Sequence, residues 1–246
     1  TLGAAAVVTP VEYRGTPYLE MAREAASDLP ALKHFFVDGE EAPAGAFPLR
    51  PLMKDASRDP GASLDRTPFD PFEVSMVVLS SGTTGMPKCI ELTGSSCKVG
   101  GWGVVERGRL TREDVVGNIA PLSGGPGLQN WWAAFRVGAK TCLPEHFSPE
   151  ATLQLIEKER ITYLAAIPTQ IIKILNLSGL DRYDLTSLRV IRTGAAAFDG
   201  ALAREVERRL NCTVLIAGGS QETYSFAQTG VEDSPEKRFS TLGRPF

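Results

Sequence analysis

Short apolar runs alternate with amphipathic stretches along most of the chain. Eight of these runs have the length and composition of strands, at residues 4–8, 33–37, 74–79, 115–119, 140–143, 161–167, 188–192 and 213–217. Ser148 followed by Pro149 is typical of a helix start. Asp199 is a candidate N-cap for a helix whose apolar residues recur every four positions from Leu202. We therefore expect strands and helices to alternate as βαβ units.

This alternation is typical of α/β proteins and predicts a mainly parallel sheet that helices cover on both faces. The stretch at residues 38–71 is rich in proline and glycine and has little periodicity, so we interpret it as a long connection between two α/β lobes. Residues 1–72 are then the end of a first lobe with this connection, and residues 73–246 are a second lobe.

Composition and charge fit an ordinary globular chain and exclude several functions. The chain has 246 residues, 43% of them hydrophobic, and a net charge of −3. This acidic balance does not indicate nucleic-acid binding. No apolar run approaches the roughly 20 residues of a membrane span, and no signal peptide is visible. A cytoplasmic location is the default expectation.

Cysteine and histidine are too few and too scattered for a metal cluster or a histidine-based triad. The chain has four cysteines without a Cys-x-x-Cys pair, at positions 89, 97, 142 and 212. His34 and His146 are its only histidines. Zinc sites, disulfide frameworks and histidine triads are therefore not expected.

A loop rich in glycine and hydroxyl groups follows the predicted strand at residues 74–79. Residues 80–88 read Ser-Ser-Gly-Thr-Thr-Gly-Met-Pro-Lys. Its candidate phosphate-binding residues are Ser80, Ser81, Gly82, Thr83, Thr84, Gly85 and Lys88. The glycines allow backbone N–H groups to converge on an anion, the hydroxyl groups add donors, and the lysine adds a positive charge. Because proline precedes the lysine, the Walker pattern of P-loop kinases and GTPases does not fit.

Three further segments carry the remaining candidate residues. Residues 193–198 read Thr-Gly-Ala-Ala-Ala-Phe, residues 217–223 read Ala-Gly-Gly-Ser-Gln-Glu-Thr, and residues 242–245 read Leu-Gly-Arg-Pro. The first two segments each follow a predicted strand, which is where α/β folds place ligands. We therefore expect these segments to form one site with residues 80–88.

The four segments resemble the motifs of the adenylate-forming superfamily, which includes acyl-CoA synthetases, aryl-acid ligases, luciferases and peptide-synthetase adenylation domains. Residues 80–88 carry the most specific match, and the order and spacing of the other segments agree. The resemblance implies two mainly parallel sheets flanked by helices, as in the large N-terminal domain of these enzymes. The chain would lack the mobile C-terminal domain, which supplies the lysine used in adenylation.

The resemblance also implies roles for individual residues. Residues 80–88 would bind the β- and γ-phosphates of ATP, and Glu222 would hold Mg²⁺, so Lys88 and Glu222 are the candidate catalytic residues. Adenine and the α-phosphate would be framed by Gly194, Ala195, Ala196, Gly218, Gly219, Ser220 and Gln221.

The chain departs from the family pattern at several of its positions. Gly218 stands where an aromatic commonly stacks on adenine, and Gln221 stands where a threonine commonly meets a phosphate. Ser123 and Gly124 replace an aromatic–histidine pair that borders the carboxylate pocket, which either widens the acyl pocket or leaves the carboxylate less screened. Trp131, on the predicted helix after residue 127, is a candidate for this pocket or for the core.

The activity that the resemblance implies is ATP-dependent conversion of a carboxylic acid to an acyl-adenylate, followed by thioester formation with coenzyme A. A homodimer is one expected assembly. Residues 124–137 contain no acidic side chain for an ammonium group, which favours a fatty, alicyclic or aryl acid over an amino acid. The alternatives are a peptide-synthetase adenylation domain, a non-catalytic nucleotide-binding homologue and a luciferase-like oxidation. Without the C-terminal lysine, the chain alone is expected to be inactive as a ligase.

Overall fold

The computed structural model describes residues 3–54, 70–80 and 85–246. The chain divides into two compact units, Thr1–Phe69 and Asp70–Phe246. The first unit has a parallel sheet of β1 (Ala6–Thr9), β2 (His34–Val37) and β3 (Phe47–Pro48) in that order, with helices α1 (Tyr18–Ala26) and α2 (Leu49–Lys54). β3 and α2 lie within residues 38–71, which the sequence predicts to be a connection. The sequence predicts neither element, because both are too short to show periodicity.

The second unit begins with a hairpin of β4 (Val74–Leu79) and β5 (Cys89–Thr93), which pair antiparallel. The predicted strand at residues 74–79 is therefore present, but it does not join the parallel sheet. A parallel neighbour would need a crossover connection of roughly a dozen residues or more. Residues 80–88 are too few for that, so β4 and β5 form a hairpin instead.

A seven-stranded sheet forms the centre of the second unit. Its strands are β6 (Val115–Asn118), β7 (Lys140–Cys142), β8 (Tyr163–Ala165), β9 (Val190–Thr193), β10 (Thr213–Ser220), β11 (Tyr224–Gln228) and β12 (Arg244–Pro245). Their spatial order is β12-β11-β10-β9-β8-β6-β7. The strands β6 to β10 run parallel, whereas β11 and β12 pair antiparallel at one edge. The predicted α/β class with mainly parallel sheets is confirmed.

The helices described in this unit are α3 (Gly94–Gly108), α4 (Gly125–Val137), α5 (Pro149–Glu159), α6 (Pro168–Leu175), α7 (Gly200–Leu210) and α8 (Pro235–Ser240), with a 3₁₀ turn at Leu180–Arg182. Both predicted helix starts are confirmed. The Ser148 hydroxyl accepts the backbone N–H of Ala151 at 3.0 Å, and the Asp199 carboxylate accepts the N–H of Ala201 at 3.2 Å. Such side-chain caps satisfy N–H groups that the first helical turn leaves unpaired.

Apolar clusters cover both faces of the sheet. On one face, α5, α6 and α7 contribute Leu153, Ile171 and Val206. On the other face, α3 and α4 contribute Val104 and Ala133. Neighbouring residues of β8, β9 and β10 belong to different clusters, as expected for strands whose side chains alternate between two buried faces. This double cover leaves the ends of the strands as the accessible place for a ligand.

Asp114 joins the start of β6 to the residues that precede β8 and β9. Its carboxylate accepts hydrogen bonds from Arg189 Nε at 2.8 Å and Nη2 at 2.7 Å, from Thr162 Oγ1 at 2.6 Å and from Thr111 N at 2.9 Å. Burial acts to raise the pKa of Asp114, but the bonds from Arg189, Thr162 and Thr111 outweigh it, so the pKa lies below its ordinary value. The ionised carboxylate therefore stabilises the fold.

We expect Asp114→Asn to lower the free energy of unfolding by about 2 kcal/mol at neutral pH, less than for a fully buried pair because Arg189 is partly exposed. Because folding lowers the pKa of Asp114, its contribution to the free energy of unfolding is present above about pH 4. This contribution is lost as the pH falls through the folded-state pKa of Asp114. Urea unfolding of both proteins over this pH range measures it. A stability difference that stays constant into acid would contradict this account.

Candidate active site

The two ends of the loop at residues 80–88 are joined by hydrogen bonds. The backbone N–H of Ser80 donates to the carbonyl of Lys88 at 2.9 Å, and the N–H of Lys88 donates to the Ser80 hydroxyl at 3.2 Å. Gly85 has a φ of 152°, a conformation that side-chain-bearing residues rarely adopt. Four predicted site residues, Ser81, Gly82, Thr83 and Thr84, lie outside the described residues. The hairpin thus fixes where the lysine leaves the loop.

A cavity of about 910 Å³ lies beside this hairpin, and we name it the loop cavity. Its wall brings together predicted site residues from segments that are far apart in the sequence, namely Ser80, Lys88, Ser123, Gly124, Ala195, Gln221 and Glu222. The segments are the end of the hairpin, the turn before α4, the turn after β9 and the connection after β10. The structure therefore assembles these predicted residues at one place.

Glu222 is exposed on this wall. Its pKa is lowered first by the Ser220 hydroxyl, then by its own backbone N–H, and also by the positive charge of Lys88. The carboxylate is therefore ionised at neutral pH. A lysine and an ionised glutamate on one wall offer a cation for phosphate oxygens and an anion for a hard metal ion.

A smaller cavity of about 150 Å³ adjoins the loop cavity, and we name it the inner cavity. It lies between the first turn of α4 and the ends of β9 and β10, and its wall includes Gly194, Ala195, Gly219, Ser220 and Gln221. Ala195 and Gln221 line both cavities. The two spaces therefore meet at residues that the sequence places in the site.

Ala195 also lines a third cavity of about 710 Å³, which we name the outer cavity. Its wall contains Ala196, Gly218, Gly219, Phe226 and Leu242. A Cβ atom added to Gly218 would lie 2.5 Å from Leu242 Cδ1. Leu242 thus occupies the space that a larger side chain at position 218 would need, and it supplies apolar surface in its place.

Gln221 connects two of the predicted segments. Its Oε1 atom accepts the backbone N–H of Gly125 at 3.0 Å, and its Nε2 atom donates to the carbonyl of Ser123 at 3.2 Å. The amide thereby holds the turn that contains Gly124, where the sequence lacks the aromatic and the histidine of the family pattern. The predicted phosphate contact of Gln221 stays a prediction.

The backbone around the cavities contains two strained positions. Ala195 and Tyr224 have φ values of 71° and 54°, in the left-handed region that residues with a Cβ atom seldom occupy. The strand pairing shifts register between Gly218 and Gly219, which is a β-bulge. Bulges and strained residues of this kind re-aim side chains and concentrate at functional sites.

Trp131 lies on α4 but does not line any of the three cavities in the described part of the chain. Its ring lies edge-on to the Trp132 ring, with 5.0 Å between the centroids, and stacks on the Phe135 ring, with 6.0 Å between the centroids. It also packs against a buried cluster that includes Val78 and Leu128. The structure therefore places Trp131 with the apolar packing between the hairpin and α4.

The described residues contain neither a cluster of metal-binding side chains nor a membrane-spanning helix. Within residues 3–54, 70–80 and 85–246, no group of three or more His, Cys, Asp or Glu side chains could hold a metal ion. The same residues form no helix that is both long and apolar enough to cross a bilayer. A site with one carboxylate still fits Mg²⁺, because this ion usually keeps several waters and binds through one or two carboxylates together with substrate phosphates.

Two residues of the inner cavity, Arg192 and Gln129, are absent from the sequence prediction. Both side chains are buried, at 2% and 1% exposure, and both line the cavity. The sequence signal that could have identified Arg192 is its place in a predicted buried strand, two positions before Gly194. No comparable signal marks Gln129, because its place depends on how α4 packs.

The AMP-binding enzyme family model matches residues 2–246 of this chain. Among curated proteins, 2-hydroxy-7-methoxy-5-methyl-1-naphthoate–CoA ligase of Streptomyces carzinostaticus is 29% identical over 260 residues, which cover 98% of this chain and 44% of the relative. Medium-chain fatty-acid–CoA ligase of Escherichia coli (strain K12) is 32% identical over 168 residues, which cover 68% of this chain and 29% of the relative.

A solved structure shows the same fold. The anthranilate CoA ligase AuaEII in complex with anthranoyl-AMP superposes with a TM-score of 0.84 and 21% sequence identity, over 99% of this chain and 46% of that chain. The chain therefore spans less than half the length of each of these three proteins.

Proposed function

This chain belongs to the AMP-binding enzyme family, and from that membership we propose that the protein activates a carboxylic acid with ATP. The acid carboxylate attacks the α-phosphorus, an acyl-adenylate forms, and pyrophosphate leaves. The acyl group then passes to the thiol of coenzyme A, and AMP leaves. The names of the two curated relatives, both acid–CoA ligases, support this second step.

The observation that carries the proposal is the convergence of Lys88, Glu222 and Ala195 on the loop cavity. The reaction brings a carboxylate to a polyphosphate, so it needs positive charge and aligned reactants. Lys88 and the backbone of residues 80–88 hold the β- and γ-phosphates. Glu222 holds Mg²⁺, which supplies further neutralisation of the phosphate charge when it is bound.

Adenine occupies the outer cavity in this proposal. Ala195 and Ala196 form one side of it, and the bulge at Gly218 and Gly219 forms another. Phe226 is 54% exposed and Leu242 is 44% exposed, so both offer apolar surface to a base. They replace the stacking contact that a glycine at position 218 cannot make.

The acyl group occupies the inner cavity, which meets the loop cavity at Ala195 and Gln221. Ser123 and Gly124 border the entrance from the loop cavity. Among the described residues that line the inner cavity, none is acidic, so the cavity offers no partner for the ammonium group of an amino acid. This favours a CoA ligase over a peptide-synthetase adenylation domain.

Isotope exchange between pyrophosphate and ATP in the whole protein, with a panel of carboxylic acids, tests the proposal. We expect exchange that depends on one class of acid, because the acyl-adenylate forms reversibly. ATP binding without exchange for any acid would instead support the alternative of a non-catalytic nucleotide-binding homologue.

A further inference from the structure

Arg192 is a buried charge that has no charged partner among the described residues. Its side chain is 2% exposed. Nε donates to Gln228 Oε1 at 2.6 Å, and Nη2 donates to Gln129 Oε1 at 3.1 Å and to Ser225 Oγ at 2.7 Å. All three acceptors are neutral. Within the part of the chain that the structure describes, the guanidinium forms no ion pair.

Burying a guanidinium in this way is costly. Charged groups inside proteins are normally paired, because amide and hydroxyl dipoles replace only part of the lost hydration. Burial lowers the pKa of Arg192, yet the guanidinium group of arginine stays protonated in proteins. A positive charge that is retained inside the fold at such a cost calls for an anion that the described residues do not supply.

The inner cavity is the space in which such an anion would contact Arg192. Arg192, Gln129 and Ser225 all line it. The first turn of the 13-residue helix α4, at Gly125 and Pro126, lines it as well, and a helix N-terminus carries partial positive charge. Because none of its described lining residues is acidic, the cavity is electropositive.

The position of the cavity identifies which part of a ligand reaches Arg192. The inner cavity meets the loop cavity at Ala195 and Gln221, where the proposed function places the reacting carboxylate. Arg192 lies within β9, two residues before the turn at Gly194. A second acidic group at the far end of the acyl chain would therefore face the guanidinium.

We propose that the acid substrate is a short dicarboxylic acid, whose distal carboxylate pairs with Arg192. This inference rests on the proposed function, and it departs from the uncharged acyl group that the sequence favours. The cavity volume of about 150 Å³ is below the roughly 300–1,000 Å³ of sites for drug-sized ligands, so a short acyl chain fits it.

Isothermal titration calorimetry of the chain with non-hydrolysable acyl-adenylate analogues tests this inference. The analogues are acyl-sulfamoyl adenosines with succinyl, glutaryl and adipoyl groups. Each is compared with an isostere in which an isopropyl group replaces the distal carboxylate. We expect the carboxylate form of at least one length to bind about tenfold or more tightly than its isostere, as for a hydrogen bond to a charged group.

Variants then assign the preference to Arg192. Arg192→Met should abolish it, and Arg192→Lys should keep part of it. Circular dichroism checks that each variant is folded, and the wild-type comparison decides the question if Arg192→Met does not fold. Isosteres that bind as tightly as the carboxylates at every length would overturn the inference and leave the proposed function intact. Binding of none of the analogues would instead contradict the proposed function.

Discussion

Glu222→Gln is expected to reduce ATP–pyrophosphate exchange by the whole protein about 100-fold, a loss typical of removing one preorganised electrostatic contact from an active site. Glutamine keeps the shape of the side chain but removes the charge. In the native chain this carboxylate has a lowered pKa and lies with Lys88 on the wall of the loop cavity. Exchange rates measured as a function of Mg²⁺ concentration should show that the variant needs more metal for half-maximal rate.

The matched control is Glu145→Gln, which neutralises an exposed glutamate that lines none of the three cavities. It should leave both the exchange rate and the Mg²⁺ dependence unchanged. If Glu222→Gln lowers the rate without changing the Mg²⁺ dependence, Glu222 is not the metal ligand.

Gly219→Ala is expected to lower the free energy of unfolding by about 3 kcal/mol, because the added atom forces the backbone to move. A Cβ atom at this position would overlap the carbonyl oxygen of Tyr224 and lie 2.6 Å from Ser225 Cα. The bulge at Gly218 and Gly219 would then lose its present geometry, and ATP binding should weaken with it. Urea unfolding followed by tryptophan fluorescence measures the stability.

Gly124→Ala tests whether any added methyl group at the site has this effect. The nearest atom to a Cβ at Gly124 is the Pro121 carbonyl oxygen at 3.6 Å, which is an ordinary contact distance. This variant should unfold within about 0.5 kcal/mol of the wild type. Equal stability losses in the two variants would show that the close approach at Gly219 does not govern the fold of the bulge.

Sequence reasoning locates six of the nine strands described in the second unit, because most of these six are continuous apolar runs buried on both faces. It does not locate the strands β11 and β12 at the antiparallel edge. It also locates the helices that begin at Ser148 and Asp199, because their caps are local in sequence. It misses β5, which reads Cys-Ile-Glu-Leu-Thr, since a central glutamate interrupts the apolar pattern. As a result, sequence predicts the strand at residues 74–79 but not its antiparallel partner.

The candidate site also contains some residues that the sequence predicts and others that it misses. Motifs at residues 80–88 and 217–223 make Lys88 and Glu222 candidates from sequence alone, because the proposed phosphate and metal contacts depend on short segments. Arg192 is not predicted as a site residue, because its partners Gln129 and Ser225 lie on α4 and β11, far from it in sequence. The packing of the sheet against α4 shows that the arginine is buried without a carboxylate from the described part of the chain.

Calorimetric titration of this chain with ATP and Mg²⁺ tests the central claim, that residues 80–88 and Glu222 form one nucleotide site. The wild type is compared with Lys88→Ala, Glu222→Ala and the control Glu145→Gln. We predict saturable binding that weakens about tenfold or more in the first two variants and is unchanged in the control. An affinity that is the same in all four proteins would contradict the claim.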